Sequence, residues 1–460
     1  MNRTTSRWPI VLTALFFCPF GLFSSAKAAE LGNRPVSWEP RVVVGKYLSP
    51  VGDLLVNERP GQPWRSLGYR GDVSSRDQLL ALPGMQGSLE TSPKAAELTL
   101  WGNLPQLSDF SGMESAVILH DSRAFDLDFT LCRGRVLVTN RKESGAARVW
   151  LRIEGVAFQL TLGDPGDSVC LALYSYWPRG VPFSLTPKPE DTLVHTLNMQ
   201  AVNGQVDVKV HGVQHALAAP PGLSFFHWDN VNGPDAAPRQ RRQLETWADP
   251  RRKLAANAKP LLEAIAKYQA AVKDSDPRTV LFDLLSATRT QAERGNDESQ
   301  REQAKATTEF AVLGLAAIND IDRVMQALDD PVHAEARRSA AIALRHWIGD
   351  ETGRDPLLYQ YLMERLRYSK AHAATVLQLL HSAYAPDEPE TYETLLAYLL
   401  HEKLAIRELA WRHLSHLVPD NIAVPYDPAA SADKRARAYE AWKEVIPSGS
   451  LPARKDKKKE

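Results

Sequence analysis

The chain runs to 460 residues, with 44% hydrophobic side chains, 24% charged ones, and 55 basic against 55 acidic. That length calls for two or more domains. The charge balance removes any global electrostatic case for a nucleic-acid partner.

Residues 1–28 read as a secretory signal peptide. Arg3 and Arg7 give the positive flank, Pro9 to Phe23 the apolar stretch, and Ala26-Lys27-Ala28 the small-x-small site, with cleavage between Ala28 and Ala29. The stretch is short and holds Pro19, which argues against a retained anchor. Leu15-Phe16-Phe17 ahead of Cys18 lacks the small residue of a lipobox. No later segment is apolar for long enough to span a bilayer, so the mature chain is expected in the periplasm or at the cell surface, without a transmembrane anchor. Cys132 and Cys170 remain after cleavage. An oxidising compartment permits a disulfide between them, and two small buried thiols fit as simply.

Residues 29–230 read as an all-β domain, a sandwich or rolled sheet of short strands separated by Gly, Pro, Asn and Asp. Arg41 to Val44, Asp53 to Val56 and Leu98 to Trp101 are such strands. Phe125 to Leu131 alternates strictly, with one buried face and one wet face carrying Asp126 and Asp128. Arg133-Gly134 is expected to turn the chain into Val136-Leu137-Val138, and Asn203-Gly204 to make a type I′ hairpin turn. His211-Gly212 predicts the next turn. Residues 231–245 read as a linker. The change of period across 220–245 predicts that the β part folds on its own. Residues 246–450 read as helical, and 451–460 as a disordered basic tail.

The helical part repeats. Leu344, Leu379 and Leu414 are 35 residues apart, as are Ala340, Thr375 and Ala410. Val324, Leu358 and Tyr392, then Leu328, Leu362 and Leu396, step by 34. Two registers with nearly one period predict stacked helix pairs, since one pair cannot bury its apolar face alone.

Asp329-Asp330-Pro331, followed by Glu335 to Leu344 with early arginines among small residues, resembles a HEAT-like repeat; Lys403 to Ala410 is a second match. The middle unit departs, with His372 at the arginine position. The β part resembles the FecR-like domain: Gly71-Asp72-Val73 to Leu80, Leu98-Thr99-Leu100, Leu131-Cys132-Arg133-Gly134-Arg135-Val136-Leu137-Val138, and Val202 to Val208 carry the likeness. The combination resembles exported proteins of the planctomycete type. The likeness implies an envelope protein. The N-terminal cytoplasmic anti-sigma helix and transmembrane segment of the iron-citrate regulators are missing, which puts sigma-factor regulation in doubt.

No nucleophile elbow, phosphate loop or zinc motif stands in the sequence, so no catalytic residue, metal site or cofactor is assigned. His120-Asp121-Ser122 holds triad residue types as neighbours, where a polar loop is the simpler account. Asp164, Asp167 and Ser168 offer oxygens to calcium, or hydrogen bonds to a tight turn. Asp126 and Asp128 are a carboxylate pair or two solvated residues. Phe225, Phe226 and Trp228 are expected to seal the contact with the helices. On the second helices, Arg337, Arg338, Arg407 and Arg412, with Arg345 beside them, are the candidate contacts for an acidic partner, with ion pairs to Glu335, Glu364 and Glu408 as the alternative, and Glu408 is read as exposed. These observations point to a non-enzymatic exported protein that binds a protein or an envelope component as scaffold, adaptor or sensor. A hydrolase acting on carbohydrate or another substrate from the β part is the alternative. Its oligomeric state is open.

Overall fold

Seventeen strands and then ten α-helices follow one another along the described residues. The computed structural model describes residues 40–59, 61–108, 112–188, 190–219, 223–251, 256–294, 297–381, 384–418 and 424–452. The signal stretch with Ala28 and Ala29, and most of the basic tail, lie outside them.

The strands are β1 (Val43–Tyr47), β2 (Leu55–Asn57), β3 (Arg65–Ser66), β4 (Asp72–Ser74), β5 (Gln78–Ala81), β6 (Gln86–Thr91), β7 (Ala96–Trp101), β8 (Ser115–His120), β9 (Leu127–Asn140), β10 (Ala147–Ile153), β11 (Val156–Leu162), β12 (Ser168–Tyr176), β13 (Val194–Val210), β14 (Val213–Ala219), β15 (Leu223–Asp229), β16 (Gly233–Pro234) and β17 (Arg239–Arg241). They form two layers. One runs β4-β1-β6-β7-β9-β12-β13-β15, with β16 and β17 on β15. The other runs β3-β2-β5-β8-β9-β10-β11-β13-β14. Leu98, Val136, Leu171 and Phe226 of the first layer meet Val56, Leu79, Phe129 and Leu160 of the second in one buried core.

The two long strands, β9 and β13, belong to both layers. Each bends from one to the other at a glycine, Gly134 at φ 84° and Gly204 at φ 69°. A Cβ on Gly134 would stand 2.1 Å from the Glu114 carbonyl, and one on Gly204 1.7 Å from Asp167 Oδ1. The expected turns at Arg133-Gly134 and Asn203-Gly204 are therefore bends inside continuous strands. Glycine's positive φ serves a close approach here instead of a hairpin. His211-Gly212 does make a turn, joining β13 to β14 across Val210 and Val213.

The helices are α1 (Lys259–Ala271), α2 (Pro277–Arg294), α3 (Glu298–Ala317), α4 (Ile321–Leu328), α5 (Ala334–Ile348), α6 (Arg354–Glu364), α7 (Lys370–His381), α8 (Pro389–Leu399), α9 (Leu404–Leu417) and α10 (Ala432–Val445). None is long and apolar enough to cross a membrane. α4–α5, α6–α7 and α8–α9 are three consecutive pairs. Their equivalent residues are buried together: Leu344, Leu379 and Leu414; Val324, Leu358 and Tyr392; Leu328, Leu362 and Leu396. The second helices do not line up in a row. α9 packs against both α5 and α7 and reaches α4. Asp329, in the turn after α4, accepts the Ala405 N–H at 3.1 Å and so caps α9 from 76 residues away.

The β part and the helices share buried side chains. Leu55, Leu80 and Ala116, on the outer side of the second layer, lie in one hydrophobic core with Leu261, Tyr268 and Phe310 of the helices. Residues 42–460 are one compact unit. The expected linker 231–245 holds β16 and β17, both paired with β15. Beyond it, Trp247 and Ala248 pack with Trp101 and Phe225 on the outer side of the first layer, so the sheet part extends past residue 230. Phe226 and Trp228 are in the core between the layers, and Phe225 faces Trp247; none of the three is in the core shared with the helices.

Candidate functional site

The arginines expected to form a contact face are mostly turned inward. Arg337 is buried, with Nε 2.9 Å from Glu408 Oε2 and Nη2 3.4 Å from Asp427 Oδ1. Arg407 is buried and donates to the carbonyls of Pro428, His401 and Glu402. Arg412 pairs with Glu408 at 3.0 Å, and Arg338, half exposed, with Glu335 at 3.4 Å. The convergence of α5, α7 and α9 explains this: second helices packed on one another have no open concave face. Glu408, read as exposed, is 3% exposed because it bridges Arg337 and Arg412 at that convergence.

Cys132 and Cys170 are both free thiols. Cys170 lies opposite Leu137, five residues along β9 from Cys132. That is roughly 16 Å at about 3.3 Å per residue, far beyond disulfide reach. Burial pushes the Cys132 thiol up to about 11 and Cys170 to about 12, so neither is a reactive thiolate.

The other candidate chemistry resolves into local bonding. His120 bonds Thr130 at 2.8 Å, while Ser122 accepts from Ala124 and Phe125 N–H groups, so they do not form a triad. Asp167 Oδ2 accepts from the Asp164 and Gln205 N–H groups. Asp128 holds Arg152 through two bonds, and Asp126 pairs with Lys142 at 2.8 Å. Among the described residues no three His, Cys, Asp or Glu side chains converge to hold a metal ion. A hydroxyl–imidazole pair that no sequence motif flags is Ser175 with His195. They sit opposite each other on β12 and β13, with Ser175 Oγ 2.8 Å from His195 Nδ1 and Glu154 Oε2 4.0 Å from Nε2. Burial holds this imidazole below its ordinary pKa, against the raising pull of Glu154 and Asp350. Thr130 serves His120, and Thr288 and Thr308 serve His333, in the same way.

Two arrangements distinguish the molecule. The first is a charged seam between sheet and helices. Arg133, at the bend of β9, places Nε 2.7 Å from Glu114 and 2.9 Å from Asp350, and Nη2 donates to the Ala317 carbonyl at 3.2 Å. His346 reaches Glu114 at 3.1 Å, and Arg354 reaches Asp350 at 3.1 Å and Glu351 at 2.8 Å. Burial alone would raise the Glu114 carboxyl, but the His346 and Arg133 charges outweigh it and hold it below the usual range. Burial alone would lower the His346 imidazole, but Glu114 and Asp350 outweigh it and hold it above its ordinary value. The Asp350 carboxyl is raised by burial. Arg133 is the one member that lies in a motif quoted from the sequence; its partners come from elements far along the chain.

The chain matches no family model, no curated protein and no solved structure.

The second arrangement is the outer side of the first layer. One end is roofed by Trp247, whose carbonyl accepts from Arg135, with Arg135 3.8 Å over the Trp101 ring. The other end is open. There Tyr174 and Tyr176, alternate residues of β12, stack with ring centroids 6.3 Å apart and planes at 21°. Asn198 of β13 and His227 and Asp229 of β15 stand on the same side, joined by bonds of 2.9 and 3.4 Å. Tyr176 is 46% exposed, the highest exposure among the aromatic side chains of this layer.

Proposed function

We propose that the protein is an exported, non-enzymatic binding protein, in which a FecR-like β domain and HEAT-like helical repeats act as one body. It captures a protein or an envelope component and serves as scaffold, adaptor or sensor. The observation that carries this reading is the half-roofed sheet side: Tyr174 and Tyr176 offer aromatic area at low entropic cost beside the hydrogen-bonding groups of Asn198 and His227. The inward arginines move the contact from the repeats to the sheet. The shared core and the charged seam support a body whose contact surface is held in place by the helices. The test is crosslinking of the mature chain in envelope extract, with the partner identified by mass. The double change Tyr174→Ser and Tyr176→Ser is expected to abolish that crosslink and leave the melting temperature within a few degrees. An unchanged crosslink would move the contact elsewhere. A mature N-terminus at Ala29 in the native host would support export.

A hydrolase on the β part is a second reading, favoured by Ser175–His195 with Glu154 behind the imidazole. Labelling of Ser175 by a fluorophosphonate, lost in Ser175→Ala, would replace the first reading with this one.

A further inference from the structure

At the far end of the helical part, the turn at 425–430 and the start of α10 enclose a cleft of about 350 Å3. Its walls are apolar: Pro425, Ala430, Ala438 and the ring of Tyr426. Its charged groups are mainly cations. Lys434 is exposed and has no carboxylate partner among the described residues. Arg435 donates to the Ala430 carbonyl, and its buried Nε has no partner among the described residues. Arg407, close enough for its charge to act on Arg435, is held by three carbonyls and by no carboxylate among the described residues. Lys434 and Arg435 also stand in the first turn of α10, where the helix dipole disfavours cations. Ser431 at the N-cap makes no capping bond through its side chain. Acids near the cleft are Asp433, exposed in the same turn, Asp427, which lines the cleft but leans towards Arg337 at 3.4 Å, and Glu408, whose charge acts on Tyr426 but which is engaged by Arg337 and Arg412. Cations gathered where the backbone already repels them, beside an apolar wall, suit a ligand with a negative head and an apolar body.

We propose that this cleft binds a small organic anion, with its carboxylate or phosphate head on Lys434 and Arg435 and its apolar body along Tyr426, Pro425 and Ala438. The site is independent of the sheet surface and of the partner captured there. Tyr426 lies 5.6 Å from Trp411, ring centroid to ring centroid, so binding is readable in tryptophan fluorescence.

The experiment titrates the mature full-length chain with benzoate and with phenyl phosphate, using benzamide and inorganic phosphate as controls, by fluorescence and calorimetry. Benzoate, phenyl phosphate or both are expected to saturate; which of them binds tells a carboxylate head from a phosphate head. Benzamide is expected to show no saturation over the same range, and inorganic phosphate to bind at least about tenfold more weakly than phenyl phosphate. Arg435→Gln is expected to weaken binding at least about tenfold and Lys434→Gln several-fold. Lys434 is exposed, so its variant keeps the test open if Arg435→Gln unfolds the helix. Saturation by benzamide equal to that by the anions, no saturation by either anion, or wild-type affinity in a folded Lys434→Gln would overturn the proposal.

Discussion

Replacing Arg133 with Met tests whether the seam holds the sheet to the helices. Arg133 is 6% exposed, and its guanidinium is bonded to Glu114, Asp350 and the Ala317 carbonyl. The methionine fills most of the space and supplies none of those bonds. Among the described residues Glu114 keeps only His346 and Asp350 keeps only Arg354, and the Ala317 carbonyl loses its donor from β9. Leaving buried charges short of a partner costs about 3–5 kcal/mol, and the lost carbonyl bond adds about 1 kcal/mol. That sum is a large part of the ~5–15 kcal/mol that separates folded from unfolded states of a typical domain. The assay is urea unfolding of the mature chain, followed by far-ultraviolet dichroism and by tryptophan fluorescence. Wild type is expected to unfold with the two probes coincident, because sheet and helices share one core. Arg133→Met is expected to lower the midpoint and separate the probes. The triple change Arg133→Met, Glu114→Leu and Asp350→Leu should recover part of the loss, because it removes the stranded charges as well. A loss under about 1 kcal/mol in the single variant would refute the reasoning, since a merely surface ion pair contributes that little.

Leu344→Ala, Leu379→Ala and Leu414→Ala are each expected to cost about 2–5 kcal/mol by chemical denaturation, because all three are 0% exposed. Glu408→Ala should cost about 3–5 kcal/mol in the same measurement, since it removes the buried partner shared by Arg337 and Arg412 and leaves Arg337 only the longer contact to Asp427 and the Asp330 carbonyl. The pH dependence has two arms. His346 has its pKa raised on folding, so its stabilisation is complete below about pH 6.5 and is lost as pH rises through the folded value. Glu114 has its pKa depressed, so its stabilisation is present above about pH 4.5 and is lost as pH falls. Melting temperatures are therefore expected to show a contribution from the Glu114–His346 pair greatest between about pH 4.5 and 6.5, which disappears in Glu114→Gln.

The repeat registers were readable because each pair must bury the same helix face, and spacing alone carries that demand. The bends at Gly134 and Gly204 were not. Arg-Gly and Asn-Gly announce a positive φ, and the local sequence does not say whether that φ reverses the chain or passes it to the other layer. Glu408 was misread for a related reason: a carboxylate on a helix looks solvated until a helix 71 residues away brings Arg337 to it. Another signal lies in the strands themselves. Leu54-Leu55-Val56 and Leu79 to Leu82 are buried at every position, without alternation. An unbroken apolar strand is covered on both sides, and that pattern marked where the helices dock. The seam partners are brought together by tertiary contacts that no local pattern announces, whereas Tyr174 and Tyr176 are two residues apart on one strand and the cleft lies within residues 425–438.

The cap that Asp329 places on α9 bears on how such a chain can evolve. Open stacks change copy number readily, since a duplicated unit meets the same neighbours as its parent. Here the first unit holds the third directly, through Asp329 to Ala405 and Arg337 to Glu408. A fourth unit inserted between them would pull both contacts apart, and deletion of the middle one would take away the helix wedged beside them. Three is then a closed number, and length variation among descendants of this chain belongs in its loops or beyond its ends.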